Sequence, residues 1–254
     1  MLRRAYAGLL RVRYGRGGMP WRVHDDSIRI DSRVRHLVPH ASEEPLYRFI
    51  QRRIGPGDVV LDVGSFLGIY AILEARRAGP AGRVIAIEPT PSSAAMARRH
   101  FAWNDTGAPV SLIEAAAGDS AGRTSFYEYD EPYVNALAAA VDVTGTPRLR
   151  PVQVVTLDDV CGDLQVIPTF IRMDVQGAEF LALRGARELI RAAGPLLTIV
   201  AEMHPQCWPA FGMDAASARD ILASLRLDGT PLEPGNDLFA RDGHAVFTPS
   251  ASSR

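Results

Sequence analysis

Val60-Leu61-Asp62-Val63-Gly64-Ser65-Phe66-Leu67-Gly68 runs from a short apolar, β-branched stretch straight into a glycine turn. A run of this kind bounded by glycine reads as a buried strand, here Asp58 to Val63. The turn feeds a helical pattern from about Ile69 to Arg77, stopped by Gly79-Pro80. Upstream, Ser42 is placed to cap a helix carrying Glu43 and Glu44 in its first turn and Leu46, Phe49, Ile50 and Ile54 on one face. Downstream, Arg83 to Glu88 reads as a strand, Pro91 to Trp103 as a helix and Val110 to Ala116 as a third strand. The pattern loosens between Asp119 and Val152, with Val152 to Thr156 alternating like an exposed or edge strand. Order returns with a strand over Thr169 to Asp174, a helix over Glu179 to Ala192 and a strand over Leu196 to Glu202. Asp214 then caps a helix with Ala218, Ile221, Leu222 and Leu225 on its stripe. A hairpin is expected from Asp237 to Arg241 and Ala245 to Thr248. Strand-helix alternation of this kind makes an α/β sandwich around a mostly parallel sheet.

Composition narrows the classes. The chain has 254 residues, 47% hydrophobic and 22% charged, enough to bury a full core. No apolar run approaches the ~20 residues that span a bilayer. Ala5 to Leu10, broken by Gly8, is too short for a signal-peptide core. Cys161 and Cys207 form no disulfide framework. These features predict a cytoplasmic globular protein with no membrane partner. The net charge of -1 calls for no nucleic acid. All 28 basic residues are arginine, which excludes lysine Schiff bases and P-loop lysines. Six arginines and no acid fall within residues 1–24. Residues 1–41 are read as a basic N-terminal arm and lead-in, its first 24 residues a solvated, partly disordered stretch rather than a contact for RNA or a carrier protein; residues 42–249 are read as one domain and 250–254 as a tail.

In open α/β sheets, ligands bind beyond the carboxyl ends of the strands. The first such end offers Asp62, Gly64, Ser65, Phe66 and Gly68. Its glycines let backbone approach a ligand at a helix start, in a Gly-x-x-x-Gly spacing rather than the Gly-x-Gly-x-x-Gly of dinucleotide sites. A carboxylate at 62 would repel a pyrophosphate and suits an ammonium or sulfonium. Glu88, ending the second strand, can accept both hydroxyls of a ribose. Asp119, after the third, can accept from an adenine amino group. Cation, ribose and adenine together describe S-adenosylmethionine better than NAD.

With these residues the sequence resembles the FkbM-type S-adenosylmethionine-dependent methyltransferases. The resemblance lies in Val60 to Gly68, Ile87-Glu88-Pro89, Val155-Thr156-Leu157-Asp158-Asp159-Val160 and Leu183-Arg184-Gly185-Ala186. Its most specific stretch is Phe170-Ile171-Arg172-Met173-Asp174-Val175-Gln176-Gly177-Ala178-Glu179, and Glu202-Met203-His204 completes it. It covers roughly residues 42 to 205. Ser65 and Phe66 stand where such proteins usually carry alanine and often asparagine, and Gln176 stands where they carry glutamate. The resemblance implies a Rossmann-like class I methyltransferase fold with neighbouring fourth and fifth parallel strands. It also implies methyl transfer to a hydroxyl of a sugar or natural-product scaffold.

An alcohol acceptor benefits from a general base or a metal ion. His204 is the first choice for the base, with Glu202 orienting its imidazole and Asp174 near the cofactor's methionine end. The same three residues, Asp174, Glu202 and His204, could instead hold a divalent cation, the less favoured reading. Glu179 reads as a partner of its own helix terminus. His24, His36, His40, His100 and His244 have no comparable context. Trp208, Phe211, Tyr127, Tyr129 and Tyr133 could wall an apolar acceptor pocket. An NAD oxidoreductase, a nucleic-acid methyltransferase and a non-catalytic cofactor-binding scaffold are the rival readings. The first lacks its glycine pattern and the second its Pro-Pro-aromatic turn. Oligomeric state is left open, a homodimer included.

Overall fold

The structure is a computed structural model and describes residues 9–10, 12–38, 40, 43–128 and 148–250. It opens with β1 (Met19–Val23) and β2 (Asp26–Ile30), followed by α1 (Glu44–Arg53), β3 (Val59–Val63), α2 (Ile69–Ala78), β4 (Arg83–Ile87), α3 (Pro91–Trp103) and β5 (Val110–Ile113). Three strands, β6 (Ala116–Ala117), β7 (Gly122–Glu128) and β8 (Arg148–Val155), then make a small separate sheet. The chain continues through α4 (Leu157–Leu164), β9 (Phe170–Met173), α5 (Glu179–Arg184), α6 (Arg187–Ala193), β10 (Thr198–Met203), α7 (Ala215–Leu225), β11 (Leu227–Pro231) and β12 (Gly243–Pro249). No helix among the described residues is long and apolar enough to cross a membrane.

The central sheet has seven strands in the order β11-β12-β10-β9-β3-β4-β5. From β10 to β5 every pair is parallel, while β12 and β11 run antiparallel. This is the mostly parallel α/β sandwich that the strand-helix alternation predicts, with an antiparallel C-terminal pair. Alternate residues of the central strands pack on opposite layers. Leu61, Ile85, Ile171 and Ile199 face α4 to α7, while Val60, Val84, Phe170 and Val200 face α1 and α2.

Four local expectations change. Ser42 lies outside the described residues, and Glu43, in the left-handed region, occupies the position before α1. The expected helix over 179–192 is two helices, because Gly185 must pass against the Gly118 carbonyl. A Cβ there would lie 2.0 Å from that oxygen. The first strand of the C-terminal hairpin is Leu227–Pro231 rather than Asp237 to Arg241. Asp237 instead closes a turn, its carboxylate accepting from Phe239 N and its carbonyl from Ala240 and Arg241.

The lead-in is the fourth correction. Residues 19–30 are an antiparallel hairpin, so the last part of the 1–24 stretch expected to be solvated is a strand. Val23, Ile28 and Ile30 are buried with Tyr47, Leu67, Ile72 and Leu73. The alternation Ser27-Ile28-Arg29-Ile30 supplies one apolar face, and helix surface supplies its partner. His100, on α3 and fully buried, fastens the hairpin. Its Nε2 accepts from Asp31 N at 3.0 Å and its Nδ1 donates to the Leu67 carbonyl at 2.8 Å.

One buried polar group stands out on α2. Glu74 is completely buried and neither carboxylate oxygen has a partner. Burial and the nearby Asp62 raise its pKa well above the ordinary range, against Arg172, so it is held as the neutral acid. An unsatisfied buried polar group costs about 1–3 kcal/mol. Glu74→Met is therefore expected to raise the unfolding free energy by about that amount in urea titration. A loss of stability would show that the carboxyl has a buried water partner.

Candidate active site

On the sheet face toward α1 and α2, each strand is apolar at its start and polar at its carboxyl end. Val60 gives way to Asp62, Ala86 to Glu88, Phe170 to Arg172 and Val200 to Glu202. The register sets Asp62 beside Arg172 and Glu202 beside His244. Period-two alternation therefore collects a row of charges under the loops where a ligand would sit.

Arg172 is the centre of that row. Its Nη1 donates to Asp62 at 2.9 Å and its Nη2 to Asp174 at 3.3 Å, and its guanidinium lies 4.4 Å from the centre of the Tyr70 ring. Burial alone would lower its pKa, but Asp62 and then Asp174 more than restore the charged form. Asp62 itself is fully buried. The structure thus corrects its expected role: the carboxylate is spent on Arg172 beneath the turn and does not face a ligand.

Above this row lies a cleft of about 640 Å³ including its open mouth, lined by Gly64, Phe66, Glu88, the Ala115–Ala117 run, Phe126 and Asp174 to Gln176 among others. Gly64 and Phe66 belong to the predicted turn, in which Gly64 N and Ser65 N both donate to the Ile87 carbonyl. Gly64 has φ +79°, and a Cβ on it would lie 1.8 Å from the Asp174 carbonyl. Glycine is required there by the neighbouring strand end. Gly68 and Ser65 lie outside the cleft wall. A Cβ on Gly68 would strike the Phe101 ring, and Ser65 is buried with its hydroxyl unpartnered. Both shape the turn from beneath.

Glu88 reaches the cleft as expected. Its Oε2 accepts from Phe66 N and its Oε1 from Thr90 N, each at 2.8 Å. These bonds fix the carboxylate and leave a lone pair on each oxygen for a ligand's hydroxyls. Burial pushes its pKa up to about 7 despite the two backbone donors. Asp119 does not reach the cleft: it pairs with Arg184 at 3.1 Å. The wall at that end is Ala115, Ala116, Ala117 and Phe126, a flat apolar surface suited to a ring system.

At the far end stands His204, buried and one residue behind the wall. Its Nδ1 meets Glu179 Oε1 at 2.8 Å, and its Nε2 lies 3.1 Å from the Gln176 amide nitrogen, which lines the cleft together with Asp174. Gln176 also donates to Asp174 at 2.9 Å. Glu179 is fully buried and takes three donors: His204, Gly177 N and Trp208 Nε1. The carboxylate that orients the imidazole is therefore Glu179. Glu202 is only a neighbour, its Oε1 3.7 Å from His204 Nε2. Asp174, Glu202 and His204 do converge, each offering a ligand atom within 4.8 Å of the others. Burial would lower the His204 pKa, but the Glu179 hydrogen bond and charge, then Asp174 and Glu202, raise it to about 9. Glu202 is pushed up to about 8 by burial and by Asp174.

Trp208 is core, edge-on to Phe180 with ring centres 5.1 Å apart, and is not in the wall of the cleft. Tyr129 and Tyr133 lie outside the described residues. His40 stacks on Trp21 and His24 on Tyr47, and neither lines the cleft. Sequence reasoning missed Arg172, Gln176 and Glu179 as site builders. Arg172 leaves a signal as a lone cation inside an apolar strand, two residues from Asp174, and Gln176 leaves one by standing where the resembled family carries glutamate.

Comparison with known proteins places these features in a family. The family model of the methyltransferase FkbM domain matches residues 62–227, more than half of the chain. An arsenite methyltransferase from Halobacterium salinarum is 42% identical over 52 residues, 20% of this chain, and the match spans 13% of that relative's length. An rRNA methylase from Streptococcus thermophilus superposes with a TM-score of 0.48 at 7% identity, covering 81% of this chain and 95% of the other. A precorrin-6y C5,15-methyltransferase from Geobacter metallireducens does so at 0.46 and 14%, covering 83% and 89%.

The Glu179–His204 pair yields a direct expectation. Removing the Glu179 charge destabilises the imidazolium, so Glu179→Gln should move the His204 midpoint down from about 9 toward the ordinary ~6.5. A histidine proton NMR titration reads this shift. An unmoved midpoint would make Asp174 and Glu202 the dominant partners.

Proposed function

The chain belongs to the FkbM methyltransferase family, and from that premise we propose that it is an S-adenosylmethionine-dependent O-methyltransferase acting on a hydroxyl of a small cytoplasmic molecule, a sugar or natural-product scaffold. The observation that carries this reading is the Glu179–His204 pair at the end of a cleft whose other end is Glu88 and an apolar alanine wall.

The residues fit the cofactor. Glu88 is held by two backbone donors with lone pairs turned to the cleft, as a ribose requires. Ala115 to Ala117 and Phe126 supply an apolar bed for adenine. Asp174, rather than Asp62, is the carboxylate in the wall that can face a positive centre. When bound, the cofactor supplies an electrophilic methyl on a sulfonium. The protein's task is then alignment and removal of one proton.

His204 Nε2 is the atom that would take the acceptor's proton, with Glu179 holding Nδ1 and stabilising the imidazolium that results. Gln176 covers Nε2, so an acceptor hydroxyl must take the amide's place. A base whose pKa is near 9 is mostly protonated at neutral pH. Turnover is therefore expected to rise with pH up to about 9 and then level.

Calorimetric titration with S-adenosylmethionine, S-adenosylhomocysteine and NAD tests the cofactor. Binding of the two adenosyl compounds and not NAD is expected, and the reverse would sink the proposal. Glu88→Ala should weaken that binding by about 1.5–3 kcal/mol per charged hydrogen bond lost, tenfold or more. His204→Ala should keep cofactor affinity and lose turnover; retained turnover would pass the base role to another group.

A further inference from the structure

Beside the active-site row lies a second convergence of ligand atoms that methyl transfer does not use. Glu43, Glu202 and His244 each offer one atom within 4.8 Å of the others. They come from three elements: the residue before α1, strand β10 and strand β12. Glu202 and His244 are direct partners in the antiparallel register.

His244 is what separates this set from an ordinary group of acids. The residue is 6% exposed, and its Nε2 is buried with no hydrogen-bond partner. That nitrogen points at Glu43 Oε1, 4.0 Å away. The other side of the ring is firmly held: Nδ1 meets Glu233 Oε1 at 2.9 Å, and Glu233 Oε2 accepts the His244 backbone N–H at 3.1 Å. A carboxylate on Nδ1 selects the tautomer of the neutral ring that carries its proton on Nδ1 and its lone pair on Nε2. This is the outer-shell arrangement that orients metal-binding histidines. Glu43 is prepared in the same way, since Tyr70 donates to its Oε2 at 2.7 Å and leaves Oε1 to the cluster.

We propose that Glu43, Glu202 and His244 bind a divalent transition-metal ion of the Mn²⁺ or Zn²⁺ class. Two carboxylates and one imidazole suit such an ion better than the all-oxygen sets of Mg²⁺ or Ca²⁺. Ligand atoms ~2.1 Å from an ion lie about 3–3.5 Å apart, so the flexible glutamates need to close by roughly 1 Å. Charge favours the same outcome. Arg172, a permanent cation whose charge Glu202 feels, is committed to Asp62 and Asp174. The neighbouring set Asp174, Glu202 and His204 is the weaker ligand, because the Gln176 amide nitrogen already lies against both His204 Nε2 and Asp174 Oδ1. An ion at Glu43, Glu202 and His244 ties the start of α1 to the carboxyl end of β10, next to the cleft.

The test reads ion occupancy, so it stands apart from the methyl-transfer reading. Chelator-stripped full-length protein is titrated with MnCl₂, followed by electron paramagnetic resonance of the free ion, and with ZnCl₂ by calorimetry. One ion per chain is expected for the unchanged protein. His244→Ala should weaken binding at least about tenfold, and Glu233→Gln, which leaves all three ligands in place, by about 10–100-fold. His204→Ala should leave the affinity unchanged. Absence of stoichiometric Mn²⁺ or Zn²⁺ binding overturns the proposal. So does an ion lost in His204→Ala but kept in His244→Ala, which would place it in the neighbouring set. If His244→Ala fails to fold, Glu233→Gln decides.

Discussion

A guanidinium buried in the middle of a parallel sheet must be neutralised where it stands, and Arg172 sets the terms for everything around it. Asp62 is committed to it from β3 and Asp174 from the loop after β9. Breaking such a pair by removing one member typically costs about 3–5 kcal/mol, because the other charge is left buried. The glycine turn is fixed to this pair through Asp62, two residues before Gly64. The Asp174 backbone in turn presses on Gly64 closely enough to exclude any side chain. One ion pair thereby holds both loops that form the cleft floor.

The surplus of acids around one arginine explains the protonation pattern. Lysine is absent from the chain, and among the described residues no other arginine enters the buried row. Glu74 and Glu202 lie near carboxylates already matched to Arg172, and burial shifts both toward the protonated form. His204 goes the other way, because Glu179 is a dedicated and fully buried partner. The site is thus built from groups whose charges are set by their neighbours more than by their chemical type.

Much of this was legible in advance. The parallel sheet follows from strands that are apolar on both faces, and helix α3 follows from Pro91 at its first turn and its length up to Trp103. Glu88 was readable because a strand end fixes where a side chain must emerge. Asp62 and Asp119 depart from the roles their strand positions suggest for a shared reason. Position along a strand tells which end a carboxylate occupies, but its partner comes from another element. Arg172 is 110 residues from Asp62 in sequence. Glu179 was read as a helix-terminus residue, and it does accept the Gly177 N–H in that role. Its second task, holding His204, depends on how the loop after β10 folds back, which no local pattern encodes. The hairpin over residues 19–30 escaped notice because the six arginines of residues 1–24 masked a short alternation.

That hairpin has a weakness built into its fastening. His100 accepts the Asp31 N–H with one ring nitrogen while donating to Leu67 with the other, an arrangement open only to the neutral ring. Burial lowers the His100 pKa and so protects that state. A buried neutral histidine contributes stability that is present at neutral pH and drains away as acid forces the second proton on, starting below the free imidazole's ~6.5. Once charged, the ring would point a donor at a donor. Acid would therefore loosen the amino-terminal cover from the glycine turn.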